Sequence, residues 1–451
     1  MNVWLKSMCF WVLFHVSPTI YAQKEVRTYY DTLPDKPLHE VYWVIEKETQ
    51  PIMHGPYEEY YPDGVLNRKG FFKEGKKDSL FVLYYPTGKK KAEIRFKENK
   101  REGLFKIYDT EEYLVQKGYY RNDSLEGILE TYSPQGIVIK RSTFANGTLN
   151  GKTEIFYPDT GKIQEESYYK NGQLHGLLRT FYPNGVISKE ENYAEGLPHG
   201  TFKTFYENGQ LQVQGNNRYG KKEGEYLQYT SKGVLTLKAF YKDDAYHNTY
   251  KSYYANGKLK QETHYKNGIR VGTEKLFYET GELMQVTKYS NQERNLEIKS
   301  YYADGKTLKN ELTYKNGKQV GLWKQYHDNG KLHIEEPYLE NGKMQGERKI
   351  YYYDGTLKAV ELYVNDQKHG ITKIYNEEGK LIEEIPYRTD IKSGNYKKYH
   401  LNGKVAEQGQ YRYGKKQGKW FYYDEKGKLL KTIEYYDDKI KKETLPQENN
   451  R

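Results

Sequence analysis

Cysteine is almost absent from this chain of 451 residues. The single cysteine, Cys9, lies inside an apolar segment at the N-terminus. Without that segment the chain has no thiol, which excludes disulfide bridges and thiol catalysis. The lack of thiols also fits a location outside the cytoplasm that does not depend on redox chemistry.

Long aliphatic runs are also missing beyond the N-terminus. Leucine, isoleucine, valine and methionine are sparse, whereas tyrosine occurs 50 times and aromatic residues make up 16% of the chain. The aliphatic volume is too small for several closed cores, but large amphipathic rings can cover one face of a sheet. The aromatic content also argues against disorder.

No long block of one charge sign occurs. The net charge is +11, but lysine and glutamate are interspersed along the chain. Nucleic-acid binding usually needs a concentrated basic stripe, so we expect no nucleic-acid partner. The positive excess leaves open a weak attraction to anionic lipid or polysaccharide.

The first 22 residues have the pattern of an export signal. Lys6 supplies a positive charge, residues 8–16 form a short apolar core, and Ala22 ends a small-residue cleavage pattern. Such a core is too short to span a membrane. We therefore predict that residues 1–22 are a signal peptide. The chain is expected to be exported beyond the inner membrane, to the periplasm, the cell surface or the medium.

The main feature of the chain is a repeat with a period of 24 or 25 residues. Residues 200–223 and 248–271 show it clearly. Repetition at this period is typical of arrays in which each unit packs against its neighbours. Sixteen units begin at Gly55, Ser79, Gly103, Gly127, Gly151, Gly176, Gly200, Gly224, Asn248, Gly272, Leu296, Gly321, Gly346, Gly370, Gly394 and Gly418.

Four columns run through the units when the first residue of each is numbered 0. Position 5 is aromatic in all sixteen. With a one-residue shift in three units, position 9 is glycine except at Glu112, position 11 is aliphatic except at Lys90, and position 17 is aromatic except at Asn217. Glycine-type breakers interrupt every stretch long enough for a helix, so we predict strands throughout.

Each unit is predicted to be a β-hairpin. In the unit that begins at Asn248, residues 250–254 form the first strand and residues 259–265 the second. Asn256-Gly257 would form a two-residue turn between them, because both residues accept positive φ. A second turn at Asn267-Gly268 would then lead into the next unit.

The predicted fold is therefore all-β: an elongated single-layer antiparallel β-meander of about sixteen tandem 24-residue hairpin repeats. The array spans residues 55–441. Residues 23–54 precede it as a lead or capping segment, and residues 442–451 form a polar C-terminal tail.

Alternation along the strands separates the side chains into two faces. One face is predicted to be mainly apolar and to carry Tyr250, Tyr254, Leu259, Thr263 and Tyr265. The other face is charged and holds the ring of position 5, with Lys251, Tyr253, Lys258, Lys260, Glu262 and His264.

Catalytic sites need non-repeating residues that converge in a pocket, but nearly every polar residue here belongs to a column. The glutamates at position 14 are expected to pair across strands with lysines at positions 10 and 12. His54, His175, His199 and His369 each precede a unit in a loop, without the convergence that a metal needs. We predict no enzyme activity, no cofactor and no metal site.

The repeat pattern G-x-[aromatic]-x-x-Y-Y-x-N-G-K-L-x-x-E-x-x-Y-x-N-G-K-x-x-G is clearest in residues 176–200 and 248–272. It resembles the variant MORN repeat (membrane occupation and recognition nexus) over residues 55–441. The resemblance implies an elongated single-layer antiparallel sheet of hairpins. Bacterial proteins of this kind are often labelled as antitoxin components of toxin–antitoxin systems.

Several functions remain open at this point. We favour an exported, non-enzymatic scaffold that binds an unidentified protein partner. The alternatives are an antitoxin or immunity component, and peripheral binding to anionic lipid or polysaccharide through the basic, tyrosine-rich face. The rings could also simply cover the backbone and one another. The candidate binding face consists of the position 5 residues Tyr229, Tyr253, Phe277, Tyr301, Tyr326, Tyr351, Tyr375 and Tyr399.

Overall fold

A computed structural model of the protein describes residues 22–47 and 50–446. The predicted signal peptide, apart from Ala22, and the last residues of the predicted tail lie outside this range. The residues that are described form 41 strands and no helix. Within the same range, no helix is long and apolar enough to cross a membrane. The prediction of an all-β, single-layer antiparallel meander is confirmed.

The chain divides into two compact units, Met1–His199 and Gly200–Arg451. In the first unit the strands are β1 Gln23–Tyr29, β2 Leu38–Ile45, β3 Ile52–Tyr60, β4 Leu66–Lys73, β5 Lys76–Tyr84, β6 Lys90–Lys97, β7 Lys100–Tyr108, β8 Leu114–Arg121, β9 Ser124–Leu125, β10 Gly127–Tyr132, β11 Val138–Ala145, β12 Thr148–Phe156, β13 Ile163–Lys170, β14 Gln173–Leu174, β15 Gly176–Phe181 and β16 Ile187–Ala194. The boundary falls within β17, Leu197–Phe205.

The second unit continues the same hairpin pattern. Its strands are β18 Leu211–Arg218, β19 Lys221–Lys222, β20 Gly224–Tyr229, β21 Leu235–Lys242, β22 Ala245–Tyr253, β23 Leu259–Lys266, β24 Ile269–Phe277, β25 Leu283–Ser290, β26 Asn295–Tyr301, β27 Leu308–Lys315, β28 Lys318–Gln319, β29 Gly321–Tyr326, β30 Leu332–Tyr338, β31 Gly346–Tyr351, β32 Leu357–Val364, β33 Gln367–Lys368, β34 Gly370–Tyr375, β35 Leu381–Arg388, β36 Ile391–Lys392, β37 Gly394–Tyr399, β38 Val405–Arg412, β39 Lys415–Tyr423, β40 Leu429–Tyr436 and β41 Lys439–Thr444.

The first turn of each hairpin differs from the prediction. Tyr254 and Lys258 close the loop, because the Tyr254 N–H donates to the Lys258 carbonyl at 2.9 Å. The Gly257 N–H donates back to Tyr254, and Gly257 has a φ of 83°, whereas Asn256 keeps a negative φ. The two-residue turn predicted at Asn256-Gly257 is therefore wrong. Three residues form the loop, and its glycine takes the left-handed conformation that such loops need.

The same loop moves two side chains from their predicted faces. A register shift lies between Ser252 and Tyr253, so Leu259 faces Tyr253 instead of Tyr254. The Lys260 ammonium lies over the Tyr254 ring, 5.6 Å from its centroid. The predicted faces of Leu259 and Lys260 are therefore wrong, because the prediction assumed a hairpin without a bulge.

The second turn follows the prediction. Asn267 and Gly268 both have positive φ, and the flanking residues Lys266 and Ile269 pair directly. In several units an aspartate replaces the glycine and gains a contact. The Asp244 carboxylate, for example, accepts the backbone N–H of Lys222 in the preceding unit at 2.8 Å. Aspartate tolerates the left-handed conformation, and this hydrogen bond offsets its steric cost.

One face of each hairpin is closely packed, and we call the side chains at positions 2, 4, 13, 15 and 17 the packed face. Position 2 lies directly across from position 15. In four units a ring at position 2 faces a glycine, and large and small residues then fit together. These pairs are Tyr57 with Gly70, Phe105 with Gly118, Phe202 with Gly215 and Tyr396 with Gly409.

The tightest packing surrounds Trp420, which is fully buried. A Cβ atom added to Gly409 would lie 2.1 Å from the Trp420 ring of the next unit. Tyr396 and Tyr411 contact the same ring, with centroids at 5.3 and 5.2 Å, and the Lys416 ammonium lies 4.0 Å from it. The glycine thus allows two neighbouring hairpins to pack against each other.

In many units a tyrosine at position 6 links the hairpin to the next one by a hydrogen bond. The Tyr254 hydroxyl donates at 2.8 Å to the carbonyl of Phe277, one residue beyond the last pair between β23 and β24. This carbonyl has no partner in the strand ladder, so the hydroxyl supplies one. Among the described residues, the tyrosines that make this contact at 2.7–3.0 Å include Tyr61, Tyr85, Tyr157, Tyr206, Tyr254, Tyr278, Tyr302 and Tyr352.

Within the predicted lead segment, β1 and β2 form a hairpin of the same kind. Val26 in β1 faces Tyr42 in β2, as position 2 faces position 15 elsewhere. The Tyr30 hydroxyl donates to the Tyr60 carbonyl at 2.7 Å, as the position 6 tyrosines do. The first turn is longer here, and this hides the repeat in the sequence. At the other end, β41 continues to Thr444, three residues past the predicted end of the array.

We predict that Gly409 and Trp420 are energetically coupled. Replacing Gly409 by alanine should lower the free energy of unfolding by about 1–3 kcal/mol, because the added methyl meets the indole ring. In a Trp420→Ala background, Gly409→Ala should lower the free energy of unfolding much less, because the indole ring is no longer there. Urea unfolding of the four proteins in a double-mutant cycle measures this coupling.

The control is Gly403→Ala, which adds a methyl where no atom lies within 4 Å. This substitution should change the free energy of unfolding by the same amount with or without Trp420. Equal costs of Gly409→Ala in both backgrounds would contradict the proposed packing.

Candidate binding face

The predicted binding residues lie on the face opposite the packed one. We call the side chains at positions 1, 3, 5, 14 and 16 the ladder face. All eight predicted residues are partly buried and lie in the second unit, one in each successive hairpin. Hairpins that follow one another are two strands apart, so the rings recur at about 9.5 Å.

Glutamates of the preceding hairpin hold several of these rings. The hydroxyls of Tyr326 and Tyr399 donate to Glu311 and Glu384, each at 2.8 Å. Burial, followed by the hydrogen bond to Glu384 and its negative charge, raises the pKa of Tyr399 to about 12. The hydroxyl reaches across to the neighbouring strand, which lays the ring along the sheet.

The glutamates at position 14 also pair with lysines, but not with those that were predicted. Lys251 and Lys299, at position 3, approach Glu262 and Glu311 at 2.9 and 2.8 Å. The hydrogen bond from Lys299 lowers the pKa of Glu311 against the opposing effect of burial. The prediction of partners at positions 10 and 12 is wrong for these glutamates. The first-turn bulge moves those lysines away, whereas position 3 faces position 14 directly.

The prediction that the histidines before the units lie in loops is wrong for His54 and His199, which lie in β3 and β17 because those strands begin before the first residue of the unit. His54 Nδ1 accepts the backbone N–H of Glu74 at 3.3 Å, and His247 Nδ1 accepts that of Asn267 at the same distance. The backbone N–H groups of His175 and His369 donate to carbonyls at 2.8 Å. These residues stabilise turns. Within residues 22–47 and 50–446, no three or more histidine, aspartate, glutamate or cysteine residues are placed to hold a metal.

A shallow cleft on the ladder face was not predicted. It has a volume of about 250 Å³ and lies among Lys238, Phe240, Lys251 and Tyr253. Asn248 also lines it and takes a φ of 61° where most units have glycine. The replacement of glycine at position 0 was visible in the sequence, but the cleft depends on how two hairpins meet.

The fold and the ladder face define a class of protein: a hairpin-repeat scaffold with an open sheet face that carries regularly spaced rings and charges. The chain belongs to the MORN repeat variant family, as the resemblance predicted. The family pattern matches eleven segments that cover just over half of the chain: residues 53–74, 149–171, 174–195, 198–216, 246–267, 270–291, 319–340, 344–365, 368–388, 392–413 and 416–438.

No curated protein matches the chain. Among solved structures it is similar to crystal structures of TcdB2-TccC3-Cdc42 and TcdB2-TccC3-TEV, at 10% identity and a TM-score of 0.14 in both cases. These matches cover 91% and 95% of this chain, but 32% and 33% of the solved chains. The chain thus spans about a third of their length, and a likeness this distant carries no argument about function.

The ionisation of the ladder tyrosines gives a direct test of their environment. Unfolded tyrosine ionises near pH 10. Because the folded pKa of Tyr399 is about 12, the unfolded chain loses this proton first. The contribution of the protonated Tyr399 hydroxyl to the stability of the fold should be complete below pH 10 and be lost as the pH rises through 12.

We expect a spectrophotometric titration of the folded protein to show a tyrosine fraction that ionises well above pH 10. Glu384→Gln should move the Tyr399 transition downwards, whereas Tyr399→Phe should remove it. A folded protein whose tyrosines all titrate together near pH 10 would contradict these contacts.

Proposed function

We propose that this protein is an exported binding scaffold that holds a macromolecular partner along the ladder face of its second unit without changing it chemically. The observation that carries this proposal is the row of rings at position 5. Each ring stands on a strand, and carboxylates of the preceding hairpin fix hydroxyls such as those of Tyr326 and Tyr399.

A fixed ring binds better than a free one. An immobile side chain loses little conformational freedom when a partner arrives, so less of the interaction energy is spent on ordering. Tyrosine also offers both an apolar face and a polar hydroxyl, which is why it is enriched in binding surfaces. Spacing the rings evenly favours an extended partner that contacts several hairpins at once.

The composition of the ladder face also favours binding over catalysis. Enzymes bring a small set of unlike residues to one point. Here a ring recurs at position 5 in every hairpin, a lysine stands at position 3 in most hairpins of the second unit, and a glutamate stands at position 14 in several, as in the units that contain Lys251 and Lys299. The family itself is a repeat type without a catalytic site.

We predict that the rings carry partner recognition. The variant Tyr253→Ser/Tyr301→Ser should reduce partner capture at least about tenfold, because central aromatic contacts dominate binding surfaces. The measurement is a pull-down from cross-linked cell envelopes with tagged protein, followed by mass spectrometry and carbohydrate analysis.

The matched control is Tyr413→Ser/Tyr436→Ser, which removes two exposed tyrosines, one in a turn and one at the end of β40. It should capture as much partner as the unmodified protein. Equal capture by both variants would exclude the ladder face as the binding site.

Export is tested separately. Full-length protein should be recovered outside the inner membrane without residues 1–22, as shown by cell fractionation and N-terminal sequencing. A protein that begins at Gln23 after an added methionine should remain in the cytoplasm. Cytoplasmic recovery of the full-length protein would contradict the proposed location.

A further inference from the structure

Charge is divided unevenly between the two compact units. Residues 23–199 contain 26 lysines and arginines against 27 aspartates and glutamates. Residues 200–451 contain 45 against 34. The positive excess of the chain therefore belongs almost entirely to the second unit. That unit also holds all eight rings of the candidate binding face.

Position 3 of the ladder face shows the difference most clearly. In the first unit this position holds Glu58, Glu130 and Glu154 as well as Lys106 and Arg179. In the second unit it is lysine except at Leu227 and Phe421. The residues of this lysine column are Lys203, Lys251, Lys275, Lys299, Lys324, Lys349, Lys373 and Lys397.

Glutamates neutralise only part of the lysine column. Lys251 and Lys299 pair with glutamates, as described above, and Lys349 approaches Glu347 at 3.7 Å. Lys275 lies opposite Glu262 on one neighbouring strand and Val286 on the other. Lys397 lies opposite Glu384 on one neighbouring strand and Gln408 on the other. The side chains of Lys275 and Lys373 are exposed. The column thus keeps cationic groups that an anionic ligand can reach.

Each lysine stands two residues before a ring on the same strand and face. The pairs Lys275 with Phe277 and Lys299 with Tyr301 are examples. A cation and an aromatic ring therefore recur together at about 9.5 Å from one hairpin to the next. An extended ligand that fits this pattern needs a flat apolar surface and a negative charge at a matching repeat.

We propose that the lysine column and the ring column of the second unit together bind an extended anionic polysaccharide. The C–H face of a sugar ring would stack on the aromatic ring, and a uronate carboxylate would pair with the lysine beside it. The proposal rests on the proposed function, since it names the chemistry of the partner held by the same face.

Two features favour a polysaccharide over other anions. Rings that are partly buried and held by their hydroxyls cannot insert into a bilayer, so they suit a lipid surface poorly. An acidic peptide supplies carboxylates, but it lacks ring faces at regular spacing. A uronate polymer supplies both.

The test uses the chain from Gln23 to Arg451 and a sodium polygalacturonate of defined length in isothermal titration calorimetry. We expect binding that weakens as salt is raised, and no binding of dextran, which is uncharged. The variant Lys275→Gln/Lys373→Gln should weaken binding about tenfold, equivalent to about 1.4 kcal/mol. It should also reduce the salt dependence, because fewer cations pair with the polymer.

A second variant, Phe277→Leu, removes a ring but keeps apolar volume. It should weaken binding and leave the salt dependence unchanged. The matched control is Lys232→Gln/Lys426→Gln, which removes the same charge from two exposed turn positions and should bind like the unmodified protein.

Polyglutamate and phosphatidylglycerol vesicles distinguish the other anions. Equal or tighter binding to either one, without an effect of Phe277→Leu, would overturn the proposal. So would a failure to bind polygalacturonate. If envelope capture of a protein partner still depended on Tyr253 and Tyr301, the proposed function would stand and the polysaccharide inference alone would fail.

Discussion

The structure depends on one hydrogen bond that recurs between neighbouring hairpins. A tyrosine at the end of the first strand, such as Tyr254, donates its hydroxyl to a carbonyl of the next hairpin that the strand ladder leaves without a partner, here that of Phe277. A hydrogen bond of this kind contributes about 1 kcal/mol. Where it forms, it also fixes the position of one first turn relative to the next, so the strands on either side keep their register.

The two faces follow from that register. On the packed face a ring lies over a small residue of the neighbouring hairpin, as Trp420 lies over Gly409. Large side chains are therefore buried without a second layer of strands or helices. On the ladder face the lysine, ring and glutamate columns remain in line. A shift of one residue would move the rings to the other face. The binding surface therefore depends on the contacts at the turns.

The sequence predicted the repeat, the hairpins and the ring column correctly, because each leaves a periodic trace. It failed where neighbouring strands decide the outcome. Asn256-Gly257 and Asn267-Gly268 are the same dipeptide, yet they form different turns, because the first turn contains a bulge. The bulge also changed the partners of the glutamate column. The hairpin within residues 23–54 was missed because its longer turn breaks the period.

The central claim is that contacts between nearest neighbours hold the hairpins in register. Native-state hydrogen exchange on Tyr254→Phe tests it most directly. The account predicts faster exchange in β22–β25, around the lost hydrogen bond to Phe277, and unchanged protection in β37–β40 of the same unit. A uniform loss of protection throughout the second unit, or no loss near Phe277, would contradict it.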